Sequence, residues 1–255
     1  MNACIVYLVD SWDVDNFKRS LDLLVQVESL KKYPIIAFHE HHLLAQVKEE
    51  ASKWGVKFVE INFVMPDYSS EIRDQIKEDF IVDGCPFPFT LGYRHMCRFF
   101  SGEIFKHEAL AQFDWVMRID TDSFMLDSTI EDPIAATAAM GAVYGYRTTR
   151  GDNPICYRGF YDNFREGLKE LGLPYRLPIE GLVYYTNWEV MDMRVFRGKI
   201  HQSLYETIDR SGGIFIHRWG DHIFRWAFLT QFDLPVRHFW FKYGHGSEVI
   251  EARQP

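Results

Sequence analysis

The chain has 255 residues, a formal net charge of −8, 47% hydrophobic residues and 16% aromatic ones. That much apolar side chain excludes a disordered segment, and the acidic balance excludes a nucleic-acid binder, which needs clustered Lys and Arg. No apolar run reaches the roughly 18 residues of a membrane span, and the N-terminal stretch lacks the basic start and apolar region of a secretory signal. The chain as given reads as soluble and large enough for one domain over residues 1–255. Its aromatic excess suits either a carbohydrate handler or simply an aromatic core. Cys4, Cys85, Cys97 and Cys156 lie far apart without C-x-x-C spacing. Free buried thiols are expected, and neither a zinc site nor a dense disulfide framework.

Taken in order, Ala3–Val9 is a continuous apolar run, the mark of a strand covered on both faces. Helical spacing follows from Asp13 to Lys31, then a strand at Pro34–Phe38, a helix at Leu43–Trp54 and a strand at Val56–Ile61. This alternation predicts a parallel, Rossmann-like sheet, although no G-x-G-x-x-G follows the first strand. Residues Asn62–Leu91 read as irregular, Tyr93–Phe113 as helix, and Phe113–Ile119 leads into a strand that ends at Asp120. Beyond it come a helix at Glu131–Met140, a strand at Gly141–Tyr146 and a helix at Tyr157–Leu171. Val183–Asn187 and Met193–Phe196 flank Glu189. Helices at Lys199–Ser211 and Asp221–Gln231 and a strand at Val236–Phe241 complete the pattern.

Several segments carry candidate chemistry. An apolar strand that stops at Asp120-Thr-Asp122 places two hard oxygen ligands at the carboxyl edge of an α/β sheet, where such folds bind ligands. They suit Mg²⁺ or Mn²⁺ and hence a diphosphate; a solvated turn is the competing reading. A second Asp-x-Asp, Asp13-Val-Asp15, reads as a helix start. Tyr93-Arg-His-Met-Cys-Arg98 offers Arg94 or Arg98 to a diphosphate and Tyr93 to a base or sugar, against the plainer reading of surface arginines on an amphipathic helix. Glu189, in Asn187-Trp-Glu189, is a carboxylate that could face a developing oxocarbenium, or a solvated residue. Asp221 in Arg218-Trp-Gly-Asp221 is a helix cap or a binder of acceptor hydroxyls. His245 sits between two glycines in a flexible loop that could approach a metal. His39-Glu-His-His42 lacks metal-ligand spacing and reads as an exposed strand-to-helix turn.

The words Tyr93-Arg-His-Met-Cys-Arg-Phe, Arg118-Ile-Asp-Thr-Asp, Asn187-Trp-Glu-Val, Gly212-Gly-Ile-Phe, Arg218-Trp-Gly-Asp and Tyr243-Gly-His occur in one order. In that order they resemble glycosyltransferase family 15, the fungal α-1,2-mannosyltransferases, across nearly the whole chain. The resemblance implies a GT-A fold, with a mixed, mainly parallel Rossmann-like sheet flanked by helices, Mn²⁺ (or Mg²⁺) dependence, a GDP-mannose donor and retention at the anomeric carbon. It places metal ligation on Asp120, Asp122 and His245, the catalytic carboxylate on Glu189, and a nucleotide contact on Tyr93. Thr121 stands where the family has proline, and no proline follows His245.

The expectation is therefore a metal-dependent retaining glycosyltransferase acting on an oligosaccharide or glycoprotein acceptor. Residues 1–125 would be its nucleotide-binding half and 126–255 its acceptor and catalytic half. Asp120, with Tyr93, Arg94 and Arg98, would serve the donor, and Glu189 with Asp221 the transfer. A UDP-xylose or UDP-galactose enzyme, and a sugar-binding module without turnover, are the alternatives; joint retention of Asp120, Asp122, Glu189 and His245 argues against the latter. The Met1-Asn2 start leads to the expectation of a compact cytoplasmic relative, whereas a trimmed domain of a family member would belong to the Golgi lumen.

Overall fold

The computed structural model describes residues 1–43, 45–83, 88–176 and 179–251; Cys85 lies outside them. Its frame is set by apolar strands that must be covered on both faces. β1 (Ala3–Val9), β2 (Ile35–His39) and β3 (Val56–Glu60) run parallel, joined by the helices Val14–Leu24 and Ala45–Ala51. Phe17, Leu21 and Leu24 share one helix face and are buried against this sheet, so spacing and packing agree. That helix ends earlier than its apolar spacing predicts. Val27 is extended, and a separate 3₁₀ turn, Glu28–Leu30, continues the segment while Val27 stays fully buried.

β4 (Trp115–Ile119) pairs parallel to the other side of β1 and is buried throughout. The segment before it is not one helix. Leu91–Arg98 passes into a π turn at Phe99–Glu103, then a short helix at Ile104–Lys106 and a 3₁₀ turn at Glu108–Leu110. Gly102 within the π turn faces the Tyr205 ring so closely that an added Cβ would lie 2.3 Å from it, which explains the residue there.

Beyond β4 come β5 (Ser123–Met125), β6 (Tyr144–Tyr146), β7 (Thr149–Gly151), β8 (Leu182–Tyr184), β9 (Trp188–Asp192), β10 (Val236–His238), β11 (Tyr243–His245) and β12 (Glu248–Ile250). The main sheet has seven strands in the order β10-β6-β9-β4-β1-β2-β3, and only β9 runs against the rest. Strands from both halves of the chain thus share one mixed, mainly parallel sheet, as expected. β9 itself was not anticipated, because Glu189 and Asp192 interrupt its apolar character. A three-stranded antiparallel sheet, β12-β11-β5, stands beside it.

Apolar side chains cluster in two layers, one on each face of the main sheet. Cys4, Cys97 and Cys156 are buried, and burial pushes the Cys4 and Cys97 thiols up to about 12. Among the described residues no helix is long and apolar enough to cross a membrane.

Candidate active site

A cavity of about 540 Å³ opens at the carboxyl ends of β1, β2 and β4, the edge at which open α/β sheets take ligands. β1 contributes Asp10, Trp12 and Asp13 just past its end, and β2 contributes Glu40 and His42. β4 contributes Arg118, Asp120, Thr121 and Asp122. Tyr93 comes from the helix Leu91–Arg98, Asp221 and His222 from the helix Asp221–Gln231, and His245 from β11.

The Asp-x-Asp turn is held from three sides. The Asp120 amide donates to the Asn187 carbonyl at 2.9 Å, and the Ser123 amide to the Asp120 carbonyl at 3.0 Å. Thr121 donates its hydroxyl to Asp13, so the second Asp-x-Asp, beyond starting a helix, braces the first. Ladder pairing sets Ser123 opposite His245, and the His245 Nδ1 lies 3.1 Å from an Asp122 carboxylate oxygen. His245 therefore sits in a strand, not in the flexible loop the flanking glycines suggested. Burial disfavours its charge, but hydrogen bonding and attraction to Asp122 and Asp120 outweigh this and raise its pKa. Asp120 is raised by burial and by Asp122, against Arg118.

Arg118 organises the floor. Its Nε donates to Asp120 at 2.8 Å and its Nη1 to Asp221 at 2.6 Å, with Glu189 at 3.5 Å and the Phe100 ring 3.5 Å away. β4–β9 register places Arg118 directly opposite Glu189. Glu189 is fully buried and does not line the cavity; its main partner is Arg225, one helical turn after Asp221. Burial works to raise the Asp221 carboxyl, but Arg118, His222 and Arg225 hold it below the usual range.

The two arginines expected to serve a diphosphate are placed elsewhere. Arg94 is fully buried, and its guanidinium donates to the backbone carbonyls of Phe215, Lys77, Glu78 and Thr90. Arg98 forms a two-pronged pair with Asp209, at 2.7 and 2.8 Å, and also reaches Glu103. Neither lines the cavity. Both lie on a helix whose outer face is covered by other elements, a fact that helical spacing cannot reveal.

The arginines that do face the cavity are Arg118, Arg150 and Arg218. Arg218 has left-handed backbone, φ 59°, a conformation uncommon outside glycine. Its guanidinium donates to Asp152 at 3.0 Å and to the Tyr93 hydroxyl at 3.3 Å, and it lies over the Phe89 ring at 4.3 Å. Asp152 also meets His222 at 3.0 Å. Burial opposes ionisation of Asp152, but His222 and Arg218 prevail and bring its pKa down to about 2. Arg118 and Arg218 stood within quoted sequence words without an assigned role. Arg150, Asp152 and His222 had no local signal, because each acquires its meaning from partners distant in sequence.

Comparison with known proteins follows from this geometry. A profile of the family described as glycolipid 2-alpha-mannosyltransferase matches residues 1–151 and 181–239. The chain belongs to that family. It is 22% identical over 246 residues to the glycolipid 2-alpha-mannosyltransferase of Saccharomyces cerevisiae, covering 86% of this chain and 54% of that one. An alpha-1,2 mannosyltransferase of the same yeast is 24% identical over 229 residues, covering 85% and 52%. The chain thus spans about half the length of these family members. In three dimensions it matches core-mannan synthase A of Aspergillus fumigatus, solved in a Mn/GDP form, with a TM-score of 0.84 at 18% identity, covering 96% of this chain and 74% of that one. The mannosyltransferase Ktr4p of S. cerevisiae, solved with GDP, gives 0.82 at 18% identity, covering 97% and 72%. At that identity the likeness establishes the fold, which is the GT-A type of this family.

Proposed function

We propose that the chain is a metal-dependent, retaining mannosyltransferase that uses GDP-mannose and a saccharide hydroxyl as acceptor, the acceptor being an oligosaccharide or glycoprotein glycan. The observation that carries this is the convergence of Asp120, Asp122 and His245 at the carboxyl edge of β4, beside a cavity of about 540 Å³. The donor set fits a Mn²⁺ or Mg²⁺ ion: two carboxylates and an imidazole, with the remaining positions left to diphosphate oxygens, as such ions commonly bind nucleotides. When bound, the ion supplies positive charge to the departing diphosphate.

This chain's own residues do the rest. Arg118 holds Asp120 and Asp221 in place. Tyr93, fixed by Arg218, presents a ring for stacking, and Arg218 and Arg150 take over the phosphate-facing part first given to Arg94 and Arg98. Asp221 faces the cavity and can accept from an acceptor hydroxyl. Glu189 lies beneath the floor, so its part is to fix Arg118 from below. The test is thermal unfolding with GDP or UDP, each with Mn²⁺ and with EDTA, followed by a transfer assay with GDP-mannose. GDP should stabilise more than UDP, and EDTA should erase the difference. A UDP preference, or stabilisation indifferent to chelation, would overturn the reading.

A further inference from the structure

The carboxyl end of β2 carries a feature that metal binding and transfer leave unused. His39-Glu-His-His42 forms the turn out of β2, and each histidine in it is engaged elsewhere. His39 is buried and donates from Nδ1 to the Glu40 carbonyl at 2.7 Å, His41 meets Glu60 at 3.1 Å, and His42 meets Asp10 at 3.2 Å. The Leu43 amide also donates to the Glu40 carbonyl, at 3.2 Å. The backbone of Glu40 is thereby pinned from both sides, while its carboxylate has no hydrogen-bond or ion-pair partner among the described residues. Glu40 lines the cavity.

Its position relative to Asp120 follows from strand register. Val9 pairs with His39, so Glu40 lies at the next step beyond β1, beside Asp10. Val6 pairs with Arg118, which puts Asp120 level with Leu8. Glu40 and Asp120 therefore stand two strand spacings apart laterally and two residues apart along the strands, roughly 12 Å. A nucleoside diphosphate laid along this edge, with its phosphates at Asp120 and Asp122, carries its base over β1 and β2. Trp12, 81% exposed yet lining the cavity, lies just past β1 at that end.

We infer that Glu40 reads the base of the donor nucleotide and selects guanine, with Trp12 as its stacking wall. The inference rests on the nucleotide-sugar reading above. A carboxylate is an acceptor only, with two oxygens suited to a pair of adjacent donors. Guanine alone among the common bases offers two, N1–H and N2–H, on one edge. Uracil offers a single N3–H between two carbonyls, which repel the carboxylate, and adenine and cytosine set a ring nitrogen acceptor beside their amino group. A polar group built to meet two donors discriminates strongly against a base that cannot supply them.

The experiment measures dissociation constants of GDP, IDP and UDP in excess MnCl₂ for the wild type, Glu40→Gln and Trp12→Ala. IDP keeps N1–H and lacks the 2-amino group. In the wild type the order should be GDP, then IDP, then UDP. Glu40→Gln should weaken GDP at least about tenfold, close most of the gap between GDP and IDP, and leave UDP within twofold, which also shows that the variant is folded. Trp12→Ala should weaken all three together. Unchanged GDP affinity in Glu40→Gln, or an equal loss of GDP and UDP, overturns the assignment of Glu40; unchanged affinities in Trp12→Ala remove the stacking wall. A wild type that prefers UDP fails the donor reading instead, so the two failures are distinguishable.

Discussion

Arg225 closes a two-pronged ion pair on Glu189, Nε to Oε2 at 3.0 Å and Nη2 to Oε1 at 3.3 Å, with neither side chain exposed. The same Nη2 donates to the Phe100 carbonyl in the π turn at 3.0 Å, so one guanidinium ties the unusual helix to the antiparallel strand. Removing one partner of such a buried pair leaves the other charge uncompensated.

Arg225→Met should therefore destabilise the fold by roughly 3–5 kcal/mol, and the double variant with Glu189→Met should recover most of that loss. Urea unfolding of the two single variants and the double variant measures it. Additive single and double effects would show that the pair is not a coupled unit.

Glu189→Gln keeps the shape of the side chain and removes the charge beneath the floor. Like Arg225→Met, it leaves a buried partner uncompensated and should lower stability; in the folded protein turnover should fall about a hundredfold, roughly 2.7 kcal/mol of lost transition-state stabilisation, with GDP affinity nearly unchanged. Steady-state kinetics and nucleotide titration decide this; near-wild-type turnover removes Glu189 from the chemistry.

Asp122→Asn weakens the ion instead of the chemistry. The Mn²⁺ concentration for half-maximal GDP binding should rise at least about tenfold, since affinity for such ions follows the number of charged ligands. His245→Ala should act in the same direction, because its ring shares Asp122. A Mn²⁺ titration at fixed GDP reads both variants.

The expected partition of arginines is also measurable. Arg94→Met strips three elements of a shared donor and should lower stability by at least about 2 kcal/mol while GDP affinity holds in the folded protein. Arg218→Met should lower GDP affinity. The reverse pattern would return the phosphate contact to Arg94.

Asp152 gives an acid signature. Its folded pKa of about 2 lies below the ordinary carboxylate value. The stability it contributes is thus present above about pH 4 and is lost as pH falls toward 2. Relative to the wild type, Asp152→Asn should be less stable near neutrality by up to about 2 kcal/mol, and the gap should narrow below pH 4. Denaturant unfolding at several pH values follows it; a gap independent of pH would exclude the ionic account.

The parallel half of the sheet was legible because β1, β2 and β4 are predominantly apolar runs, and the helix Asp221–Gln231 because Asp and spacing mark its start. β9 escaped because a strand containing Glu189 and Asp192 does not read as buried. Glu189 is neutralised by Arg118 and Arg225, which arrive from another strand and from a helix, and Asp192 is paired with Arg194. β11 escaped because Tyr243-Gly244-His245, with a glycine on each side of the histidine, resembles a loop until β5 pairs with it. Asp120, Asp122 and Tyr93 were visible at the cavity from sequence, whereas Arg94 and Arg98 changed meaning once Phe215 and Asp209 were seen to cover them.

The direction of β1 has a practical consequence. Its carboxyl end opens on the cavity, so its amino end lies at the opposite edge of the sheet, a strand of 7 residues away; at about 3.3 Å per residue that is roughly 23 Å. Met1 is 66% exposed there. A surface tether attached at residue 1 would leave the cavity pointing away from that surface.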